Sequence, residues 1–294
     1  MMGQRWEAIV DLIRLDRPYG TLLLLLPVLW SLMIASEGLP TLTLILIFSS
    51  GAFLMRSAGC VMNDLADRDL DRRVSRTKER PLPSRRMTTG EALVVLGILL
   101  TLAALLLFFL DPLTRWLSLG GLAVAGLYPF TKRYIHLPQL IMGIAFGWGA
   151  LMAWTAVRHT LELPALLTFA ATLFWATGYD TIYALLDRDD DIKVGIKSTA
   201  ILFGRYTWIA LAALFGLASF FLLLLGLRTE RASIYYFTLV LITLSFGYQV
   251  FKVRGNPDKP MTFSLFKSHV GIGVLVLAGI ALDFWTQRWT GGIP

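Results

Sequence analysis

Two stretches of this chain carry residues whose types and spacing could do chemistry. Asn63-Asp64-Leu65-Ala66-Asp67-Arg68-Asp69-Leu70-Asp71 stands directly behind an apolar run, and Asp180-Thr181-Ile182-Tyr183-Ala184-Leu185-Leu186-Asp187-Arg188-Asp189-Asp190-Asp191 follows a second apolar run later in the chain. In each, carboxylates recur at steps of three and four, so a helix carrying them lines the charges along one face, where they can share a cation. Two such faces predict two metal clusters around one substrate. Ligands that are oxygen alone, without histidine or thiolate, favour Mg²⁺ or Mn²⁺, and Mg²⁺ leaves part of its octahedron to substrate phosphates. A diphosphate is therefore the expected third party.

The cations nearby fit that expectation. Arg76-Thr77-Lys78-Glu79-Arg80-Pro81 follows the first acidic stretch, and Lys193 and Lys197 follow the second. Arg76, Arg80 and Lys197 are read as donors to a multiply charged leaving group, whereas Lys78 and Lys193 serve membrane topology equally well. Arg56, seven residues before Asn63 and on the same helical face, needs an anionic partner, either one of the aspartates or a substrate carboxylate. Lys132, at the end of an apolar run, either points back into the cavity or snorkels to the surface. Of the aromatics Trp148, Trp154, Trp175, Tyr179 and Tyr183, which could face a carbocation with their rings, only Tyr183 lies between two aspartates. Solvated loop charges account for Asp69, Arg72 and Arg73, but not for Asp180 and Tyr183 among apolar neighbours at membrane depth.

What must position these groups is a membrane. The 294 residues are 56% hydrophobic and 16% charged, with a mean hydropathy of +0.64, which places the chain with polytopic membrane proteins. Nine stretches can span about 30 Å of hydrocarbon: 19–35, 42–62, 92–110, 113–130, 137–157, 163–186, 206–227, 234–251 and 265–285. Of 27 lysines and arginines, 21 fall in alternate connections on one side and five on the other. That bias puts the amino terminus and both acidic stretches in the cytoplasm and, after nine crossings, the carboxyl terminus outside. The net charge of +7 is thereby explained by topology, and nucleic acid is not an expected partner. The acidic stretches follow the second and sixth spans, so the fold class is all-α: nine transmembrane helices around a central cavity, two four-helix pseudo-repeats plus one helix, in a single domain over 1–294. The opening residues read as an interfacial helix, not a signal or transit peptide, and the lone Cys60 excludes an intramolecular disulfide.

Asn63-Asp64-x-x-Asp67-x-x-x-Asp71 with Arg76-Thr77-x-x-Arg80-Pro81, joined to Asp180-x-x-Tyr183-Ala184-x-x-Asp187-x-x-x-Asp191, resembles the two signatures of the UbiA superfamily of intramembrane prenyltransferases. The stretches Leu137-Pro138-Gln139, Phe146-Gly147-Trp148 and 187–200 look like its 4-hydroxybenzoate polyprenyltransferase branch. The resemblance implies Mg²⁺-dependent transfer of a polyprenyl group from polyprenyl diphosphate to position 3 of 4-hydroxybenzoate, for ubiquinone or a related quinone, in a bacterial cytoplasmic membrane. It implies two Mg²⁺ ions, with Mn²⁺ as a substitute, held by Asp64, Asp67 and Asp71 on one side and Asp180, Asp187 and Asp191 on the other, with Asn63. It also implies catalytic roles for Asp67, Asp180, Asp187, Arg56 and Tyr183, and diphosphate binding by Arg76, Arg80, Lys132, Lys193 and Lys197. Arg17-Pro18 and Lys267-Ser268-His269 depart from the branch pattern, which leaves the acceptor open among relatives that use other aromatics. A secondary transporter is the rival from another class, but it would place its coupling charges nearer the midplane.

Overall fold

The computed structural model describes residues 2–72 and 77–289, the side chains of 2–4 and 289 excepted. Among the described residues all regular structure is helical: α1 (Met2–Ile13), α2 (Tyr19–Ala35), α3 (Leu42–Asp71), α4 (Thr89–Leu106), α5 (Pro112–Tyr134), α6 (Pro138–Arg158), α7 (Leu163–Ala184), α8 (Arg188–Val194), α9 (Thr199–Phe203), α10 (Thr207–Arg228), α11 (Ser233–Arg254) and α12 (Lys259–Trp289). The nine expected stretches fall largely on helices, although 92–110 runs past the end of α4 and 163–186 past the end of α7. Six helical segments are long and apolar enough to cross a membrane by length and composition: Leu42–Asp71, Thr89–Phe109, Pro138–Arg158, Thr199–Arg228, Ser233–Arg254 and Lys259–Arg288. Tyr19–Ala35 is apolar but shorter.

Local signals set the helix starts. Thr88 and Glu91 close a capping box on α4, and Asp111 accepts from the amides of Leu113 and Thr114 ahead of α5, with Pro112 in its first turn. Most spanning helices are apolar all round, so propensity alone does not say which face turns inward. Packing does. α7 lies among α2, α6, α10 and α12, and this enclosure explains why its surface carries threonines. Thr168, Thr172 and Thr181 are buried and donate to carbonyls one turn back, at 2.9, 2.8 and 2.6 Å. Contact with α6 is close enough that a Cβ on Gly143 would lie 2.6 Å from the Leu173 carbonyl oxygen, a small-residue crossing of the kind membrane helices use. The main core, including Trp30, Trp175, Tyr179, Phe215 and Ile242, fills the half of the bundle around α7, α10, α11 and α12. The other half, between α2, α3, α4, α5 and α6, is hollow.

Two boundaries differ from expectation. The second span was expected to end near Met62, with 63–90 as a connection, yet α3 runs on through Asp71; cations from other elements offset the acidic turns, as described below. The second acidic stretch, expected within one helix to Leu186, instead breaks. Leu185, Leu186 and Asp187 make i→i−3 bonds to Ile182, Tyr183 and Ala184 at 3.2, 3.1 and 3.3 Å, and α8 restarts at Arg188. Asp189, Asp190 and Asp191 thus occupy the first turn of a new helix, where the dipole favours carboxylates over a helix interior.

Far from the acidic end, the fully buried Asp283 of α12 accepts from the amides of Ala232 and Tyr235 at 2.9 and 3.2 Å and from the Gln287 side chain at 3.1 Å. It caps α11 from another helix. Asp283→Ala is expected to lower stability by about 3 kcal/mol, the penalty for buried donors left without a partner, read as a lower Tm in detergent with activity per folded molecule retained.

Candidate active site

The hollow half of the bundle is a cavity of about 1670 Å³, larger than the pockets that take drug-sized ligands. One face of α3 lines it continuously, through Ala52, Met55, Arg56, Gly59, Cys60 and Asn63, and Arg56 and Asn63 share that face as the spacing predicts. Its far end is apolar, with Leu107, Leu110 and Leu119. Its near end carries the charges: Asp64 and Asp71 from α3, Asp180 and Tyr183 from α7, Asp187, Asp191 and Lys197 around α8, Arg80 from the α3–α4 connection and Lys132 from α5. Charges therefore gather at one end, and the rest is fit for a hydrocarbon.

On α3, Asp64 and Asp67 are 1% exposed and Asp71 is 7% exposed. Carboxylates that deep need compensation. Arg14 Nη2 donates to both oxygens of Asp64 at 2.8 Å, and Arg80 Nη1 donates to Asp64 at 3.1 Å and to Asp71 at 2.8 Å. Burial lowers the pKa of Arg80, but the charges of Asp64 and Asp71 outweigh it and hold the guanidinium above its ordinary value. Lys132 Nζ donates to Asp67 Oδ2, resolving its expected position in favour of the inward one. Arg133 Nη2 lies 3.8 Å from Asp67 Oδ1, which is buried without a hydrogen-bond donor. Asp67 does not itself line the cavity, because Lys132 stands in front of it.

On the opposite wall, α7 and α9 are pinned so that the second acidic stretch faces the first. The buried Gln139 accepts from the Thr199 amide at 3.0 Å, and the Thr181 and Thr199 hydroxyls are 2.7 Å apart. The Lys197 amide donates to the Lys132 carbonyl at 2.9 Å, and Lys197 Nζ to the Tyr134 carbonyl at 2.9 Å. Lys193 lies outside the cavity lining, with its side chain 72% exposed and bonded to Asp190 at 3.2 Å. Arg76 lies outside the described residues.

Among the described residues no group of three or more histidine, cysteine, aspartate or glutamate side chains converges as a metal site. Arg80 stands between Asp64 and Asp71, and Lys132 covers Asp67. The donor set nevertheless suits a hard divalent cation, since the potential ligands lining the mouth are the oxygens of Asn63, Asp64, Asp71, Asp180, Asp187 and Asp191, and Asp67 Oδ1 has a buried lone pair with no donor among the described residues.

Deeper in, Arg56 makes no ion pair among the described residues, with Asp180, Tyr128, Tyr179 and Cys60 within electrostatic reach. Its guanidinium lies over Gly20 of α2: a Cβ there would sit 2.4 Å from Nε. Tyr183 packs against Phe266 of α12 with centroids 4.6 Å apart and planes tilted by 44°.

Arg14 and Gly20 were not anticipated as site residues. Arg14 follows the amphipathic α1 with a φ of 58°, and its side chain also donates to the Asp11 carbonyl at the end of that helix. The available signal was an arginine placed between an interfacial helix and the first span. The contribution of Gly20 appears only when α2 and α3 are brought together.

The family model for the UbiA prenyltransferase family matches residues 24–271. A 4-hydroxybenzoate octaprenyltransferase from Azotobacter vinelandii is 46% identical over 95% of this chain and 94% of its own length. The apo structure of a UbiA homolog from Aeropyrum pernix superposes with a TM-score of 0.78 at 25% identity, covering 89% of this chain and 97% of that one. A second solved structure, of a UbiA homolog from Archaeoglobus fulgidus bound to DMAPP and Mg²⁺, has the same fold at a TM-score of 0.68 and 21% identity, covering 94% and 99%.

Proposed function

The chain belongs to the UbiA prenyltransferase family, and from that membership and the geometry of the mouth we propose that it transfers a polyprenyl group from polyprenyl diphosphate to 4-hydroxybenzoate. The new bond forms at the ring carbon ortho to the hydroxyl, and diphosphate is released. One observation carries the reading: a mouth of buried carboxylates and cations opens onto a large apolar cavity that holds Arg56, which makes no ion pair among the described residues. The acceptor named for the Azotobacter vinelandii relative fits that arginine.

Asn63, Asp64, Asp67 and Asp71 on one wall and Asp180, Asp187 and Asp191 on the other would hold two Mg²⁺ ions, or Mn²⁺ in their place. Bound there, the ions supply charge neutralisation that makes diphosphate a competent leaving group. Arg14, Arg80 and Lys132 neutralise the aspartates; with metal held there, the same donors would be free to bind the diphosphate oxygens, joined by Lys197 and Arg76. The allylic C–O bond breaks with its electron pair leaving on diphosphate, and the ring face of Tyr183 lies beside the developing carbocation. Arg56 binds the carboxylate of the aromatic acid and aims its ring at that carbon. The ring carbon then forms the C–C bond and its proton leaves to a base. The apolar arm keeps water from the cation and lets the tail pass sideways into lipid. Lys193, exposed and paired with Asp190, has the topological role.

By the same reading the protein is a single nine-crossing domain in a bacterial inner membrane, with the amino terminus and both acidic segments cytoplasmic and the carboxyl terminus periplasmic. α2–α5 and α6–α11 form its two halves, each with an acidic segment after its second crossing, and α12 is added.

Product formation by purified protein in detergent, given geranyl diphosphate and 4-hydroxybenzoate, tests this. The 3-geranyl product is expected with Mg²⁺, falling at least about 100-fold with chelator and returning when Mg²⁺ is restored. Turnover only with a different aromatic would reassign the acceptor. No turnover with any acceptor, in folded protein, would overturn the proposal.

A further inference from the structure

Trp148, on α6, is held on three sides. Its indole Nε1 donates to the Leu117 carbonyl of α5 at 2.7 Å. Its ring fills a notch made by two consecutive glycines of α5: a Cβ on Gly120 would lie 2.4 Å from Cζ2, and one on Gly121 would lie 2.8 Å from Cδ1. Behind it, Phe169 of α7 meets the ring edge to face, with centroids 6.4 Å apart and planes at 82°. The fourth side borders the cavity, beside Leu119 and Leu122. Trp148 lies ten residues into α6 from its charged end, about 15 Å along the axis.

A tryptophan anchored by its N–H and wedged into backbone is a rigid apolar surface, with little rotamer entropy left to lose when something packs on it. Diglycine in mid-helix costs about 1 kcal/mol per residue relative to alanine; here it provides the space for the indole. The wedge stands past the charged mouth, in the arm where only a hydrocarbon is comfortable.

Resting on the prenyl-transfer reading above, we infer that Trp148 is a donor-selecting residue: its free face packs against the isoprenoid tail beyond the first five-carbon unit, so it distinguishes long donors from short ones. The first unit, next to the diphosphate, reacts at the mouth and does not reach the indole. Later units lie along it. Trp148 touches no reacting atom and binds neither the diphosphate nor the aromatic acid.

The test is steady-state kinetics of the full-length protein in detergent with dimethylallyl, geranyl and farnesyl diphosphate, for wild type, Trp148→Ala, Trp148→Phe and Gly121→Ala. Trp148→Ala is expected to raise KM for geranyl and farnesyl diphosphate about tenfold, from lost apolar contact. KM for dimethylallyl diphosphate, KM for the aromatic acid and kcat stay within about twofold. Trp148→Phe, which keeps an apolar ring, should recover most of the loss. Gly121→Ala, which drives the indole out of its notch into the arm, should also penalise the long donors selectively. A uniform loss across all three donors would make Trp148 structural and overturn the inference, as would donor preferences equal to wild type in both Trp148→Ala and Gly121→Ala. If wild type prenylates a different aromatic, the same comparison runs on that acceptor. If wild type transfers no prenyl group, the functional reading fails, and the inference fails with it.

Discussion

Asp187→Ala is expected to lower kcat by about 10³-fold while leaving the protein folded. Asp187 lines the cavity at the turn between α7 and α8, half-buried, and its side chain does not cap the helix it precedes. Its removal should strike the step in which diphosphate departs, because on the proposed reading its carboxylate helps hold the cation between the two acidic walls, and any cost in stability is read separately. Measurement of kcat alongside Tm in detergent separates the two effects. The matching substitution on the other wall is Asp67→Asn, preferred to alanine because Lys132 donates to Asp67 Oδ2 and would otherwise be left buried beside a void. Wild-type turnover in either variant would remove the two-walled model of leaving-group activation.

Arg56→Ala is expected to raise KM for the aromatic acid about 100-fold, with KM for the prenyl diphosphate changed little. A buried charge-assisted pair is worth about 2–5 kcal/mol on truncation, and about 2.7 kcal/mol corresponds to that factor. The sequence left two partners open for Arg56, an aspartate or a substrate carboxylate. In the structure Arg14, Arg80 and Lys132 take the aspartates of α3, and Arg56 makes no ion pair among the described residues, with Asp180 of α7 within electrostatic reach; on the proposed reading its partner is the substrate carboxylate. Saturation curves for each substrate decide it: a fall in kcat at unchanged acid KM would return Arg56 to orienting an aspartate. Gly20→Ala offers a second route, since its Cβ would displace the guanidinium; it should weaken the acid in the same direction while the arginine is still present.

The acidic motifs were legible because carboxylates at helical spacing behind apolar runs have few other uses, and their placement at one end of a cavity follows that reading. The helical membrane character was legible as well, since the apolar stretches fall on helices and six helical segments are long and apolar enough to cross a membrane. Less visible was the turn at Leu185–Asp187, because the sequence there reads as continuous helix and the choice to restart depends on where four clustered carboxylates are least repelled. Asp283 was hidden inside an apolar run, with nothing nearby in sequence to show that it caps α11 from α12. The sequence left Lys193 open between phosphate binding and topology while favouring phosphate binding for Lys197; the packed corner of α8 and α9 turns Lys197 toward the cavity and leaves Lys193 largely exposed.

Composition, period and charge bias are properties of each segment against its solvent, and they were sufficient to define a polytopic helical chain with two acidic stretches behind apolar runs. The tertiary structure decided which cation neutralises which carboxylate, which half of the bundle is solid and which hollow, and where glycines admit an indole or a guanidinium. These depend on contacts between residues such as Arg14 and Asp64, Gly20 and Arg56, or Gly121 and Trp148. Helices that are apolar on every face carry no mark of their neighbours, so pairings of this kind exist only once the bundle has closed.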